Sequence, residues 1–184
     1  WGFKVPSQGL VNFFTERGDN ERLAVTVLVS GQKTPYGDDI LETCPNPYYN
    51  GKVCTPSSTN TFTNNSYGLD HNMRLLRYAE VLLIYAEALV EGAVIESTSG
   101  MSADIALNMV RARAGLSSVG ASRESIWDER RAELAMEDDR FFDLVRTGQA
   151  ASVLASKGFT ANKNEVFPTP SNQIQVNTGL IKTP

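Results

Sequence analysis

Histidine is nearly absent from this chain of 184 residues: His71 stands alone, and cysteine is almost as scarce, with only Cys44 and Cys54. A single histidine excludes multi-His zinc sites and the Glu-x-x-His helices of di-iron bundles. Any Ser-His-Asp or Cys-His catalyst rests on His71 alone, which lies between Asp70 and Asn72 and reads as a surface or cap residue. No Gly-x-Gly occurs, so the glycine-rich phosphate loops of dinucleotide and P-loop enzymes are missing. Long apolar runs are missing too. The longest, Val81 to Ala86, has six residues, far short of the ~20 that cross a bilayer as a helix. Charge of one sign does not dominate either: 17 Lys and Arg against 21 Asp and Glu give −4, no electrostatic case for nucleic acid or a membrane surface. No charged n-region followed by an apolar stretch opens the chain. Beginning at Trp1, it reads as a processed or trimmed piece, so that absence says nothing about a parent protein.

The apolar share of 41% and the charged share of 21% are those of an ordinary globular chain with one or at most two domains. Residues 1–72 read as loop-rich, with Pro6, Pro35, Pro45, Pro47 and Pro56 and an Asn/Thr/Ser cluster from Thr55 to Ser66. Ser7 to Glu16 is expected to be a short helix, N-capped by Ser7 and stopped at Gly18. The β-branched run Leu23 to Val29 reads as a strand, and Ser30 to Asn72 as a long irregular excursion. From Met73 the pattern turns helical. Met73 to Gly92 carries Tyr78, Leu82, Tyr85 and Leu89 at spacings of four, three and four. Ser102 caps a second helix with Ile105, Met109 and Ala112 on one stripe and Gly115 as its stop. Ser125-Ile126-Trp127-Asp128 opens a third like a capping box, which runs to Gly148 with a break suggested at Asp138-Asp139. Residues 149–184 read as a short helix, Gln149 to Ser156, and an extended tail containing Pro168 and Pro170.

Between Leu69 and Gly148 there are nine Arg and no Lys, against 14 acidic residues. Arginine keeps its charge and pairs carboxylates bidentately, so this bias points to an Arg–carboxylate network inside a helical packing. Glu133 and Glu137, four apart on one helical face, are the best candidates for paired-carboxylate chemistry. Arg130, Arg131 and Arg140 flank them, and nearby positive charge favours ionisation, the wrong direction for a general acid. Glu80 and Glu87, near Arg74 and Arg77, read the same way, so the sequence speaks against an enzyme. Cys44 and Cys54 are open to two readings: a bridge stapling the loop in an oxidising compartment, or two thiols in a reducing one. The same region gathers Tyr36, Tyr48, Tyr49, Phe62 and Tyr67. A tyrosine offers a flat apolar face to a sugar ring and a hydroxyl to its rim, so these suit glycan binding; each also suits anchoring its loop to the helices.

Taken in order, several segments resemble the C-terminal part of the SusD/RagB-like nutrient-binding proteins of Bacteroidetes. They are Trp1-Gly2-Phe3 with Val5-Pro6-Ser7-Gln8, Arg77-Tyr78-Ala79-Glu80-Val81-Leu82-Leu83-Ile84-Tyr85-Ala86-Glu87-Ala88, and Leu107-Asn108-Met109-Val110-Arg111-Ala112-Arg113-Ala114-Gly115-Leu116. Asp128-Glu129-Arg130-Arg131-Ala132-Glu133-Leu134-Ala135-Met136-Glu137, Arg140-Phe141-Phe142-Asp143-Leu144-Val145-Arg146-Thr147-Gly148 and the tail Phe167-Pro168-Thr169-Pro170 complete the set. The chain departs from the family at Asp138-Asp139, where Gly plus His or Leu is common. The resemblance implies a mainly α fold of tetratricopeptide-like helix pairs, the SusD-like α superhelix, with a long loop-rich segment. Residues 1–72 are then the loop-rich, ligand-facing segment, 73–148 the helical scaffold and 149–184 the short helix and tail. It further implies a non-catalytic protein without a cofactor, lipid-anchored through a missing N-terminus at the outer face of the outer membrane. Its partners are an oligo- or polysaccharide and a SusC-like TonB-dependent transporter barrel. Calcium occurs in some members, but Asp38-Asp39 alone is thin ground for it. Trp1, Tyr36, Tyr48, Tyr49 and Tyr67 are the expected ligand contacts. A protein-interaction helical-repeat module or a peptide-binding member is the alternative.

Overall fold

The computed structural model describes residues 4–43, 45–59, 74–94, 100–177 and 179. It is mainly α and falls into two compact units, Trp1–Glu137 and Asp138–Pro184. Trp1, Cys44, Phe62, Tyr67 and His71 lie outside the described residues.

In the first unit α1 (Gln8–Glu16) starts where the sequence places it: Ser7 is extended and its hydroxyl accepts the Leu10 amide at 3.3 Å. Helix α2 (Asn20–Thr26) replaces most of the expected strand, leaving β1 as Val27–Val29 only. Its β-branched residues favour a strand, but Arg22 and Thr26 are buried on one helical face, and that tertiary placement decides the outcome. Strand β1 pairs antiparallel with β2 (Tyr48–Asn50), in the register Val27↔Asn50, Leu28↔Tyr49 and Val29↔Tyr48. The excursion between them is less irregular than expected. Gly31 and Ile40 are joined backbone to backbone, Lys33 bridges Asp39, and a tight turn from Thr34 to Asp38 carries Tyr36. A 3-10 turn (Gly51–Val53) follows β2 against α2. Here glycine is obligatory, because a Cβ at Gly51 would stand 2.3 Å from the Val25 carbonyl oxygen.

Helices α3 (Tyr78–Val90), α4 (Ala103–Arg113) and α5 (Arg123–Glu133) form the scaffold as helix pairs of the tetratricopeptide-like kind. Their core is Leu82, Leu83, Ala86, Ala106, Leu107, Val110 and Ile126. The buried face of α4 is therefore Ala106, Leu107 and Val110, not the expected stripe, since Ile105 and Met109 are 49% and 43% exposed. Alanines at 86 and 106 bring the backbones close, and the larger side chains turn outward. The box opening α5 sits one turn earlier than read, with Ser122 as N-cap and Ser125 returning a bond to the Ser122 amide. A smaller cluster of Phe14, Ala132 and Ala135, with Leu10, Phe13 and Leu23 against it, packs α1 and α2 on the end of α5.

The second unit holds α6 (Arg140–Arg146), α7 (Ala150–Val153) and α8 (Ser171–Val176). Gly148 closes α6 at φ +72°. Phe141 packs on Phe142 and Phe159. The tail is not wholly extended, because α8 begins directly after Pro170.

Candidate functional site

The tyrosines of the loop-rich segment occupy three different settings. Tyr36 rides on the 34–38 turn, 56% exposed. Tyr48 and Tyr49 are neighbours on β2, so their side chains leave opposite faces. Tyr49 shares a face with buried Leu28, and its hydroxyl accepts the Asn46 amide at 3.1 Å, which fixes the approach to the strand. Tyr48 turns the other way and donates to Gln8 Oε1 on α1 at 2.9 Å. Gln8 in turn donates from Nε2 to Asn12 Oδ1 at 2.8 Å. The structure thus brings Tyr48 together with α1 and separates it from Tyr49. Cys54 carries a free thiol, pushed up by burial and by the charge of Asp38. Asp38 accepts from the Ser57 amide and hydroxyl, which hold its carboxyl below the usual range, and Asp39 pairs with Lys33 at 2.5 Å.

Beneath this surface lies the ionic lattice. Glu129, with no exposed surface, meets Arg17 at 2.6 Å and Arg22 and Arg111 at 2.8 Å. Glu133 meets Arg113 at 2.7 Å, Arg77 at 2.8 Å and Arg22 at 3.2 Å. Glu137 takes Arg77 through both oxygens, at 2.7 and 2.9 Å, and Lys52 at 2.5 Å. Lys52 Nζ also donates to the Glu133 carbonyl, and Arg22 binds Asp19 at 2.5 Å. Arg130 lies 3.8 Å from Glu80, and Arg131 stacks 3.8 Å from the Phe13 ring centroid.

The charge argument located the network, but half its cations come from the loop-rich segment: Arg17, Arg22 and Lys52 reach across about 80 to 110 residues of sequence. Only the Asp19–Arg22 spacing of three carried a local signal. The lattice mounts the loop-rich segment on α5. It also decides the chemistry. Burial alone would raise the Glu133 carboxyl, but the hydrogen bond from Arg77 and the charges of Arg113, Arg77 and Arg22 outweigh it and hold it below the usual range. The carboxyls of Asp38, Glu91, Glu124, Glu133 and Glu165 are all displaced downward. A glycosidic general acid needs the opposite. No group of three or more His, Cys, Asp or Glu placed to hold a metal ion occurs among the described residues.

A family model described as the SusD family matches residues 26–184. The SusD-like protein P2 of Formosa agariphila is 32% identical over 138 residues, 64% of this chain and 26% of that protein. A solved laminarin-binding SusD-like protein superposes with a TM-score of 0.77 at 31% identity, covering 97% of this chain and 37% of its own. Surface glycan-binding protein A from Bacteroides thetaiotaomicron gives 0.73 at 25% identity, over 93% of this chain and 39% of its own. The same protein in complex with laminarihexaose gives 0.70 at 26% identity, over 88% and 38%. The chain thus spans about a quarter of the curated relative's length and under two fifths of the solved neighbours'.

Proposed function

Since the chain belongs to the SusD family, we propose that it is part of a non-catalytic binding protein that captures glycan at the cell surface and hands it to a TonB-dependent transporter barrel of the outer membrane. The observation that carries this reading is the likeness, in fold and in sequence over nearly the whole chain, to a laminarin-binding relative. The lattice supports the absence of catalysis: Glu129, Glu133 and Glu137 are committed to cations, and the Glu133 carboxyl is held below its usual range, the wrong direction for acid chemistry. The sugar contacts we assign to the loop-rich segment, with Tyr48 and the exposed Tyr36 the best placed among the described residues. Tyr49, Trp1 and Tyr67 complete the set drawn from sequence. Lipid anchoring on the outer membrane belongs to the same reading, through sequence beyond this chain.

Affinity electrophoresis of the intact protein in gels containing laminarin and other polysaccharides tests it. Retardation by one polysaccharide class, with no shortening of the polysaccharide, is the expected result. Free migration in every gel overturns the glycan reading, and release of reducing ends overturns the non-catalytic one.

A second reading, a helical module that binds another polypeptide, has one observation in its favour. Leu75, Leu76, Tyr78, Val81 and Ile84 leave an apolar stripe exposed along and before α3. A transporter or peptide contact there is compatible with sugar capture elsewhere.

A further inference from the structure

The outer face of α1 keeps charge out. Gln8, Gly9, Asn12 and Thr15 are all exposed, and Glu16, in the last turn, is the helix's only charged residue. Gln8, Asn12 and Thr15 follow one another at four and three residues, one row along the helix about 10 Å long. An exposed helix face ordinarily carries charges. Here amides and a hydroxyl stand in their place, in a directed chain: Tyr48 donates to Gln8, and Gln8 donates to Asn12. The Asn12 Nδ2 donors make no hydrogen bond among the described residues, and the Tyr48 oxygen remains open as an acceptor. Donors and acceptors alternating along a row match the vicinal hydroxyls of a sugar, and the Tyr48 ring flanks that row with an apolar face.

Gly9 supplies an independent observation. Its φ is not in the left-handed region, and among the described residues a Cβ there would meet only Ser7 Oγ, at 3.8 Å. Among those residues neither backbone conformation nor packing requires glycine, although glycine weakens a helix relative to alanine. A low place in a helix surface that the fold does not need is what a ligand approaching the backbone would use.

We infer that Gln8, Gly9 and Asn12 of α1, with Tyr48 of β2, form a subsite for an uncharged saccharide chain lying along α1. This rests on the glycan-binding reading and names where on the loop-rich segment the sugar lies. Neutral hexose chains are its ligands. Polysaccharides with a carboxylate or sulfate on every unit bind no better there, because the side chains of the row are uncharged and Arg131, beside it, is taken up by the Gly9 carbonyl at 3.5 Å and by the Phe13 ring.

The test is binding of laminarin to the intact protein by affinity electrophoresis and calorimetry, with melting temperatures measured on the same samples. Asn12→Ala weakens binding about tenfold and Tyr48→Ala more, while Tyr48→Phe, which keeps the ring and loses one hydroxyl, weakens it several-fold. Gly9→Ala is decisive: it raises the melting temperature by a degree or two and still weakens binding severalfold. A purely structural role for the row cannot produce that opposition. Laminarin binding unchanged in Gly9→Ala and Asn12→Ala overturns the subsite and leaves the glycan reading standing. A wild-type protein that binds no neutral polysaccharide overturns the subsite, and one that binds no polysaccharide at all overturns both.

Discussion

Glu129 has no exposed surface and takes three guanidinium groups, so its charge is what keeps Arg17, Arg22 and Arg111 inside the fold. Removing one member of such a set leaves uncompensated buried charge, at a cost of about 3–5 kcal/mol. Glu129→Gln is therefore expected to lower the melting temperature by roughly 10 °C. Lys52 offers the contrast. Burial pushes its ammonium down against the pull of Glu137, and Arg77 alone still engages both Glu137 oxygens and the Glu133 carbonyl when Lys52 is gone. Lys52→Met should change stability by less than about 1 kcal/mol, while Arg77→Met costs about 3; thermal melts of the pair separate them.

Acid acts on the same residues. The Glu133 carboxyl is held below its ordinary value in the fold, so its contribution is complete above pH 4.5 and is lost as pH falls through the lower, folded value. Melting temperature should fall between pH 5 and 3, more steeply in the wild type than in Glu133→Gln compared with its own value at pH 7. Asp138 shows the converse, a local cost: its φ of +79° is the conformation glycine adopts freely. Because Asp138 is itself engaged, Asp138→Gly should gain only about 0.5 kcal/mol, read as a small rise in melting temperature.

At the scale of elements, legibility followed how local the cause was. The caps at Ser7 and Ser102 and the stops at Gly115 and Gly148 are one-residue devices, and each stands where the sequence put it. The stretch from Leu23 to Thr26 was misread because its cause is remote: Arg22 must reach Asp19, Glu129 and Glu133, and a helical turn aims it there. The inner face of α4 was misread for a related reason. Hydrophobic spacing weighs Ile105 and Met109 above alanine, whereas the close approach of α3 demands small residues. The junction of α2 with the turn after β2 is the tightest of these contacts, and it is set by Gly51. Gly51→Ala places a methyl group on the Val25 carbonyl and should cost about 1–3 kcal/mol, with loss of the Lys52 contacts visible by hydrogen exchange over residues 48–54.

At the scale of the molecule, the ordered motifs and the arginine bias made the family and the helical scaffold legible, because both rest on patterns repeated along the chain. The candidate site was legible only in part. Tyr48 was within reach, but Gln8 and Asn12 lie 40 and 36 residues from it in sequence and carry no motif; only the packing of α1 beside β2 joins them. The lattice binds these two parts together: the loop-rich segment is fixed to α5 by charge. The most direct measurement is a calorimetric titration of the intact protein with laminarihexaose, followed by mass analysis of the sugar. Saturable heat with the hexasaccharide recovered whole is the predicted result. A shortened sugar, or no heat with this or any other oligosaccharide, would contradict the account.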